Sequence, residues 1–232
     1  MKAKIISIIP ARGGSKGIPQ KNIRLLAGRP LIAYTIDCAL NSKYINRVVV
    51  STDDEGIATI SEKYGVEVVK RPESLAQDNS PTIDAVLHVL EFLEIQNEKH
   101  IIIVLLQPTS PLRNSQDIDN AIELFFKNTC DSVISVCESE HPPFWTYKID
   151  DQYLKPILGD NYSKMRRQDL PKSYILNGAI YISTVEIIQE CRSFNSHKVS
   201  PYIMPSIRSV DIDDELDFIV AEYIFKMSKN LL

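Results

Sequence analysis

Cysteine is sparse in this chain and never paired. Cys38, Cys130, Cys137 and Cys191 stand apart and no CxxC occurs, which argues against a zinc site or a disulfide framework and suits a reducing compartment. Long apolar runs are missing too: no stretch approaches the roughly 20 residues that span a bilayer. The N-terminal "IISII" is short for a signal-peptide core and lacks a small-residue cleavage site. The cytoplasm is therefore the expected compartment, with no membrane partner. Positive charge is not in surplus either. A net charge of −4 and a pI near 5.6 offer no global field for nucleic acid. Repeats, low-complexity tracts and linkers are absent, and the 232 residues read as one domain, 1–232, able to bury a real core.

The most informative lack is local. Residues 11–29 hold no Asp or Glu, yet contain Arg12, Lys16, Lys21, Arg24 and Arg29. In an acidic chain this is a local anion site, and Gly13, Gly14 and Gly17 would let backbone N–H groups approach the anion closely. A triphosphate fits, although a merely solvated basic loop has the same composition. Gly13 to Gly17 formally spell the GxSxG of a hydrolase elbow. That elbow turns directly from strand into helix, whereas here the next helical pattern begins near Pro30. The spacing also fails the Walker motif.

Strand-like runs alternate with amphipathic stretches. Residues 4–10, 47–51, 66–70, 101–107 and 131–136 are short, β-branched and almost continuously apolar, as in parallel strands buried on both faces. Between them, 30–42, 55–65, 81–95 and 115–128 have helical length, and Ile83, Val86, Leu87, Leu90 and Leu93 form one helical stripe. Repeated βαβ units predict an α/β fold with a parallel sheet. Residues 138–173 break the rhythm with prolines and aromatics and read as an insertion, a lid or an arm. A strand at 174–183, a short helix from Thr184, a strand at 209–213 and a helix at 214–227 complete the expectation.

Ligands of such sheets bind beyond the carboxyl ends of the strands. The polar segments 11–22, 51–54, 107–113 and 211–215 should meet there. Asp211 and Asp213, two apart on the expected strand, would share a face and could hold Mg²⁺ together with substrate phosphates. Alternatively, Asp213 or Asp214 caps the last helix. Beside a phosphate loop, the metal reading is the stronger. His88, His100, His141 and His197 have no metal spacing.

Taken together, "IIPARGGSKGIPQKN", "VVVSTDDEGIA", "KRPESLAQD", "LLQPTSPLR", "NGAIYI" and "SVDIDDELD" resemble, in order, the motifs of the acylneuraminate cytidylyltransferases. These include the CMP-sialic acid synthetases and their relatives for legionaminic and pseudaminic acids. The resemblance runs from residue 5 to about 222. It implies a three-layer α/β fold like the nucleotide-diphospho-sugar transferases, with a mostly parallel central sheet and a dimerisation arm at 138–173. It also implies a reaction in which CTP and a nine-carbon 2-keto acid sugar give a CMP-sugar and pyrophosphate, with Mg²⁺, for bacterial surface glycans. Arg12, Lys16 and Lys21 would hold the phosphates, Gly14 and Ser15 would also bind the nucleotide, and Asn22, Arg71 and Thr82 would help place the cytidine. Gln107 would lie between nucleotide and sugar, Arg167, Asn177 and Tyr181 would line the sugar site, and Asp211 and Asp213 would bind the metal. Arg12, Lys21, Gln107 and Asp211 are the expected catalytic residues. The enzyme would be a homodimer.

The sugar half departs from the sialic-acid pattern. Members specific for that sugar tend to carry a Lys where Trp145 stands and an Arg where Ile175 stands. Apolar bulk in place of cations points to a diacetamido sugar of the legionaminic type; alternatively, Trp145 only packs the dimer arm and carries no specificity. The base that takes the sugar's proton is left open, since no His is well placed in sequence.

Overall fold

Ile5 and Ile9 face one hydrophobic layer and Ile6 and Ile8 the other, as a strand covered on both sides requires. In the computed structural model, which describes residues 4–98 and 100–230, they form β1 (Ile5–Pro10). Next come the two-residue strands β2 (Leu25–Leu26) and β3 (Arg29–Pro30), then α1 (Leu31–Leu40), β4 (Arg47–Thr52), α2 (Glu55–Lys63) and β5 (Glu67–Lys70). The middle of the chain is α3 (Thr82–Phe92), β6 (Ile102–Leu105), α4 (Ser115–Lys127) and β7 (Ser132–Glu138). A hairpin of β8 (Tyr147–Asp150) and β9 (Tyr153–Pro156) precedes β10 (Tyr174–Thr184), α5 (Val185–Cys191), β11 (Val199–Ile203) and α6 (Glu215–Asn230).

The central sheet has seven strands in the order β11, β7, β10, β6, β1, β4, β5. Only β10 runs antiparallel to its neighbours, β6 and β7; the remaining pairs are parallel. Ile32 and Ile36 of α1, Ile57 of α2 and Ile118 and Ile122 of α4 pack on one face. Val86, Val89 and Leu90 of α3 and Val185 and Ile188 of α5 cover the other. The result is the expected three-layer α/β fold with a mostly parallel sheet.

Two expectations are corrected. Residues 209–213 form no strand: they run as irregular extended chain, tied to the 107–113 loop by Ile212 N donating to the Thr109 carbonyl at 2.8 Å. Their alternation reflects burial of Ile212 beneath α6, in a cluster with Ile18, Leu26, Leu31 and Phe218, and not strand pairing. A strand that the pattern did not suggest, β11, pairs instead with β7 at the sheet edge, where Pro201 is tolerated. The irregular 138–173 segment does contain order, the β8 and β9 hairpin, which makes a separate two-stranded sheet.

Candidate active site

After β1 the chain builds β4 and β5 on one side, then returns to β6 on the other. The loops leaving β1 and β6 therefore diverge, and this switch point is where an open α/β sheet holds its ligand. A cleft of about 320 Å³ opens there. Its walls include Arg12, Gly14, Ser15, Lys21, Asn22, Arg71, Thr82, Gln107, Asp211 and Asp213. The topology thus brings together ten residues singled out from the sequence.

The basic loop is held against the sheet and against the acidic segment. Ala11 N donates to the Ser51 carbonyl at 2.9 Å and Gly13 N to Asp53 Oδ1 at 3.1 Å. A Cβ on Gly17 would lie 2.1 Å from the Asp213 carbonyl oxygen, so only glycine permits that approach. Lys21 Nζ donates to the Ile212 carbonyl at 2.6 Å and stands 3.7 Å from Asp213 Oδ1. Buried Asn22 donates to the Arg12 carbonyl at 2.9 Å, shaping the loop from beneath. Arg71 is buried and its Nη2 donates to the Ser51 carbonyl at 3.3 Å. Burial pushes its guanidinium pKa down, against the pull of Asp53.

Across the cleft, Gln107, Gly178 and Asp211 are in close contact. Gly178 has φ +71°, and a Cβ there would meet Gln107 Oε1 at 2.7 Å and Asp211 Oδ2 at 3.0 Å. The Gln107 carbonyl accepts from Arg113 Nη1 at 3.3 Å, and the same nitrogen donates to the Ala179 carbonyl at 2.8 Å. This fully buried arginine was not foreseen; it ties the β6 loop to the bulged part of β10.

The capping question resolves in favour of Asp214, whose Oδ1 accepts from Leu216 N at 2.8 Å and Asp217 N at 3.0 Å. Asp211 and Asp213 are thus not consumed as caps, although they are not on a strand as expected. Burial raises the Asp211 carboxyl pKa; the Thr109 hydroxyl opposes this and Asp213 adds to it. Its Oδ1 is buried with no hydrogen-bond partner among the described residues. A buried, unpartnered carboxylate oxygen opposite a cationic loop fits a hard cation bound by one or two carboxylates and substrate phosphates. No group of three or more potential metal ligands occurs among the described residues, so phosphate and water would complete such a site.

Four expected residues lie off the cleft walls. Lys16 is exposed and paired with Asp78 at 2.9 Å. Arg167 sits exposed on a 3-10 turn of the arm. Asn177 is buried, accepting from Ser135 Oγ at 2.6 Å and donating to Ser209 Oγ at 2.9 Å. Tyr181 packs on Phe194 with ring centroids 5.9 Å apart, and burial raises its pKa. Gln77, Asp78, Ser80 and Thr109, which line the cleft, were missed. For the first three the available signal was their place just beyond the carboxyl end of β5.

A three-layer α/β fold with a cationic loop facing two carboxylates across its switch point is the architecture of a nucleotidyltransferase. Residues 6–157 match the cytidylyltransferase family. The chain belongs to that family and is a CTP-dependent nucleotidyltransferase. It is 40% identical to the CMP-N,N'-diacetyllegionaminic acid synthase of Legionella pneumophila, over 99% of each chain. It is 34% identical to a pseudaminic acid cytidylyltransferase of Campylobacter jejuni over 97% of each. Identity to an N-acylneuraminate cytidylyltransferase of Escherichia coli is 38% over 95% of this chain, which spans about half, 52%, of that relative. A structure of CMP:2-keto-3-deoxy-manno-octonic acid synthetase complexed with CTP superposes with a TM-score of 0.74 at 15% identity. That match covers 97% of this chain and 100% of the other.

Proposed function

We propose that the chain transfers CMP from CTP to a nine-carbon 2-keto acid sugar, releasing pyrophosphate, and that the preferred sugar is a diacetamido nonulosonic acid of the legionaminic type. The observation that carries the reaction is the cleft itself, with Arg12 and Lys21 facing Asp211 and Asp213. Arg12, Lys16 and Lys21 neutralise the phosphates, Asn22, Arg71 and Thr82 place the cytidine, and Gln107 orients the sugar. The anomeric hydroxyl attacks the α-phosphorus in line, so the protein contributes chiefly positioning and charge neutralisation. Mg²⁺ held by Asp211 and Asp213 would stabilise charge developing on the phosphate oxygens.

The sugar assignment is supported by the likeness to the legionaminic enzyme over the full length of both chains and by Trp145 and Ile175. The latter are 37% and 53% exposed and lie on the arm and on β10, beyond the nucleotide cleft. Arg167 on the same arm would meet the sugar carboxylate. The arm's apolar side chains also support a homodimer of single 1–232 domains, since exposed patches of this kind mark interfaces. No described helix is long and apolar enough to cross a membrane, and the cysteines are free; a cytoplasmic setting belongs to the same proposal.

Steady-state kinetics with CTP and a panel of sialic, legionaminic and pseudaminic acids, read by pyrophosphate release, test the reading. The highest kcat/KM is expected for legionaminic acid. A value for N-acetylneuraminic acid equal to or above it overturns the sugar assignment. Absence of pyrophosphate release with every member overturns the nonulosonic acid class.

A further inference from the structure

One acidic side chain reaches into the cationic side of the cleft. Asp78 Oδ1 lies 2.8 Å from Arg12 Nη1 and its Oδ2 lies 2.9 Å from Lys16 Nζ. Each carboxylate oxygen thus serves one cation, and the carboxylate itself lines the cleft. The turn that presents it is bonded mainly to itself. Gln77 N donates to Ser80 Oγ at 3.1 Å, Ser80 Oγ to the Ser74 carbonyl at 3.2 Å, and Gln77 Nε2 to the Glu73 carbonyl at 2.9 Å. Such a turn can swing as a unit without undoing sheet hydrogen bonds.

We propose that Asp78 is an internal anion that stands in for a phosphate on Arg12 and Lys16, and that it competes with triphosphate and pyrophosphate for those cations. The inference rests on the reading that Arg12 and Lys16 hold phosphate. The two ion pairs are solvent-exposed, with side-chain exposures of 33% and 44% for the Arg12 pair and 78% and 44% for the Lys16 pair. Exposed pairs of this kind are weak, so a multiply charged phosphate chain displaces a single carboxylate readily. The same weakness lets the carboxylate return as pyrophosphate leaves. Lys16 is held close to Arg12 meanwhile through the shared carboxylate. Asp78 thereby lowers the affinity for pyrophosphate-bearing ligands and favours their release. Its carboxyl pKa is itself drawn down, by Lys16 first and by Arg12, so the carboxylate stays charged further into the acid range.

The test is calorimetric titration of pyrophosphate, and separately of CTP, into the whole protein and its variants. Asp78→Asn should bind pyrophosphate about three- to tenfold tighter than wild type, and Asp78→Glu, which keeps the charge, should not. Loss of one negative charge would strengthen any anion's binding through the general field. The gain must therefore vanish when Asp78→Asn is made on an Arg12→Ala, Lys16→Ala background. Unchanged or weaker pyrophosphate binding by Asp78→Asn overturns the proposal, and so does a gain that persists on that background. If Arg12→Ala and Lys16→Ala leave pyrophosphate binding untouched, the phosphate reading of the loop falls and this proposal with it. If they weaken binding while Asp78→Asn gives no gain, only the Asp78 proposal falls.

Discussion

Around the cleft the charged side chains are mostly answered from within the chain, whereas along the β8 and β9 hairpin the apolar side chains stand in solvent. Lys21, Arg113 and Asp78 each find partners far away in sequence, and Asn22 finds one within its own loop. On the hairpin and the adjoining half of β10, Ile149 is 77% exposed, Leu154 68% and Leu176 60%. An isolated two-stranded hairpin is marginal in water. The contrast separates a region partnered largely within the chain from one whose apolar side chains are uncovered, the part that the proposed homodimer would bury. It also gives meaning to the exceptions within the cleft. Arg71 Nε and Asp211 Oδ1 are buried there without hydrogen-bond partners among the described residues, and they have opposite charge. Those are the positions a nucleotide and its cation would satisfy.

The largest effect that could break this picture is removal of the cation. Excess EDTA should abolish pyrophosphate release, and persistence of activity would refute the metal assignment. Asp211→Asn and Asp213→Asn should each stay folded and need far more Mg²⁺. The effect should be greater at Asp211, which is half-buried with its Oδ1 out of solvent, than at Asp213, whose side chain is 84% exposed. Equal requirements would show that burial does not rank the two ligands. Next is Lys21→Ala. Losing a charge-assisted contact costs roughly 1.5–3 kcal/mol, so kcat/KM for CTP should fall about 10- to 150-fold. An unchanged value would sink the phosphate role of this loop.

How much of this was readable beforehand follows from the range of the interactions. β1, β4, β6 and β7 were evident because burial on both faces leaves continuous apolar runs, and the acid-free loop was evident because its cations cluster in sequence. The 209–213 segment misled because Val210 and Ile212 alternate with acids, yet Ile212 is buried by α6 and not by a neighbouring strand. β11 was hidden by Pro201, which weakens any strand pattern away from an edge. Asp78 and Arg113 stand inside motifs at the carboxyl ends of strands, yet nothing local marked what each would bind. Their partners are brought by the fold: Arg12 is 66 positions from Asp78, and Ala179 is 66 from Arg113. For Asn177 the resemblance suggested a sugar contact, while the fold shows its amide bonded to Ser135 and Ser209, information that no motif carries.

A smaller effect on chemistry, and a large one on assembly, is expected in the arm. Ile149→Ser with Leu154→Ser should convert the proposed dimer into a 26.3 kDa monomer by light scattering. KM for CTP should stay within about twofold, because neither residue touches the nucleotide cleft. A wild-type protein that is already monomeric at micromolar concentration would remove the proposed partner surface. A large rise in KM for CTP would show that cleft and arm are not separable.

The smallest effect sharpens the idea that the cleft region rests on many weak ties. Glu215, at the start of α6, accepts a hydrogen bond from Arg24, and this holds its carboxyl below the usual glutamate range. A depressed carboxylate pKa adds stability that is present above the unfolded-state value and is lost as pH falls through the folded-state value. Glu215→Gln should therefore lower Tm at pH 7, and the difference from wild type should close on acidification below the ordinary glutamate range. The pair is exposed, so the shift at pH 7 should be only about 1–2 °C. Arg24 keeps its place in the variant because its guanidinium also lies 4.3 Å above the Phe218 ring. The position of α6, and with it the Asp211 to Asp213 segment, is thus shared among this stacking, the Asp214 cap and the buried cluster of Ile212 and Phe218. A loss of ten degrees or more would mean that one ion pair carries the whole arrangement, and the self-partnered character of the cleft would then be an incorrect description.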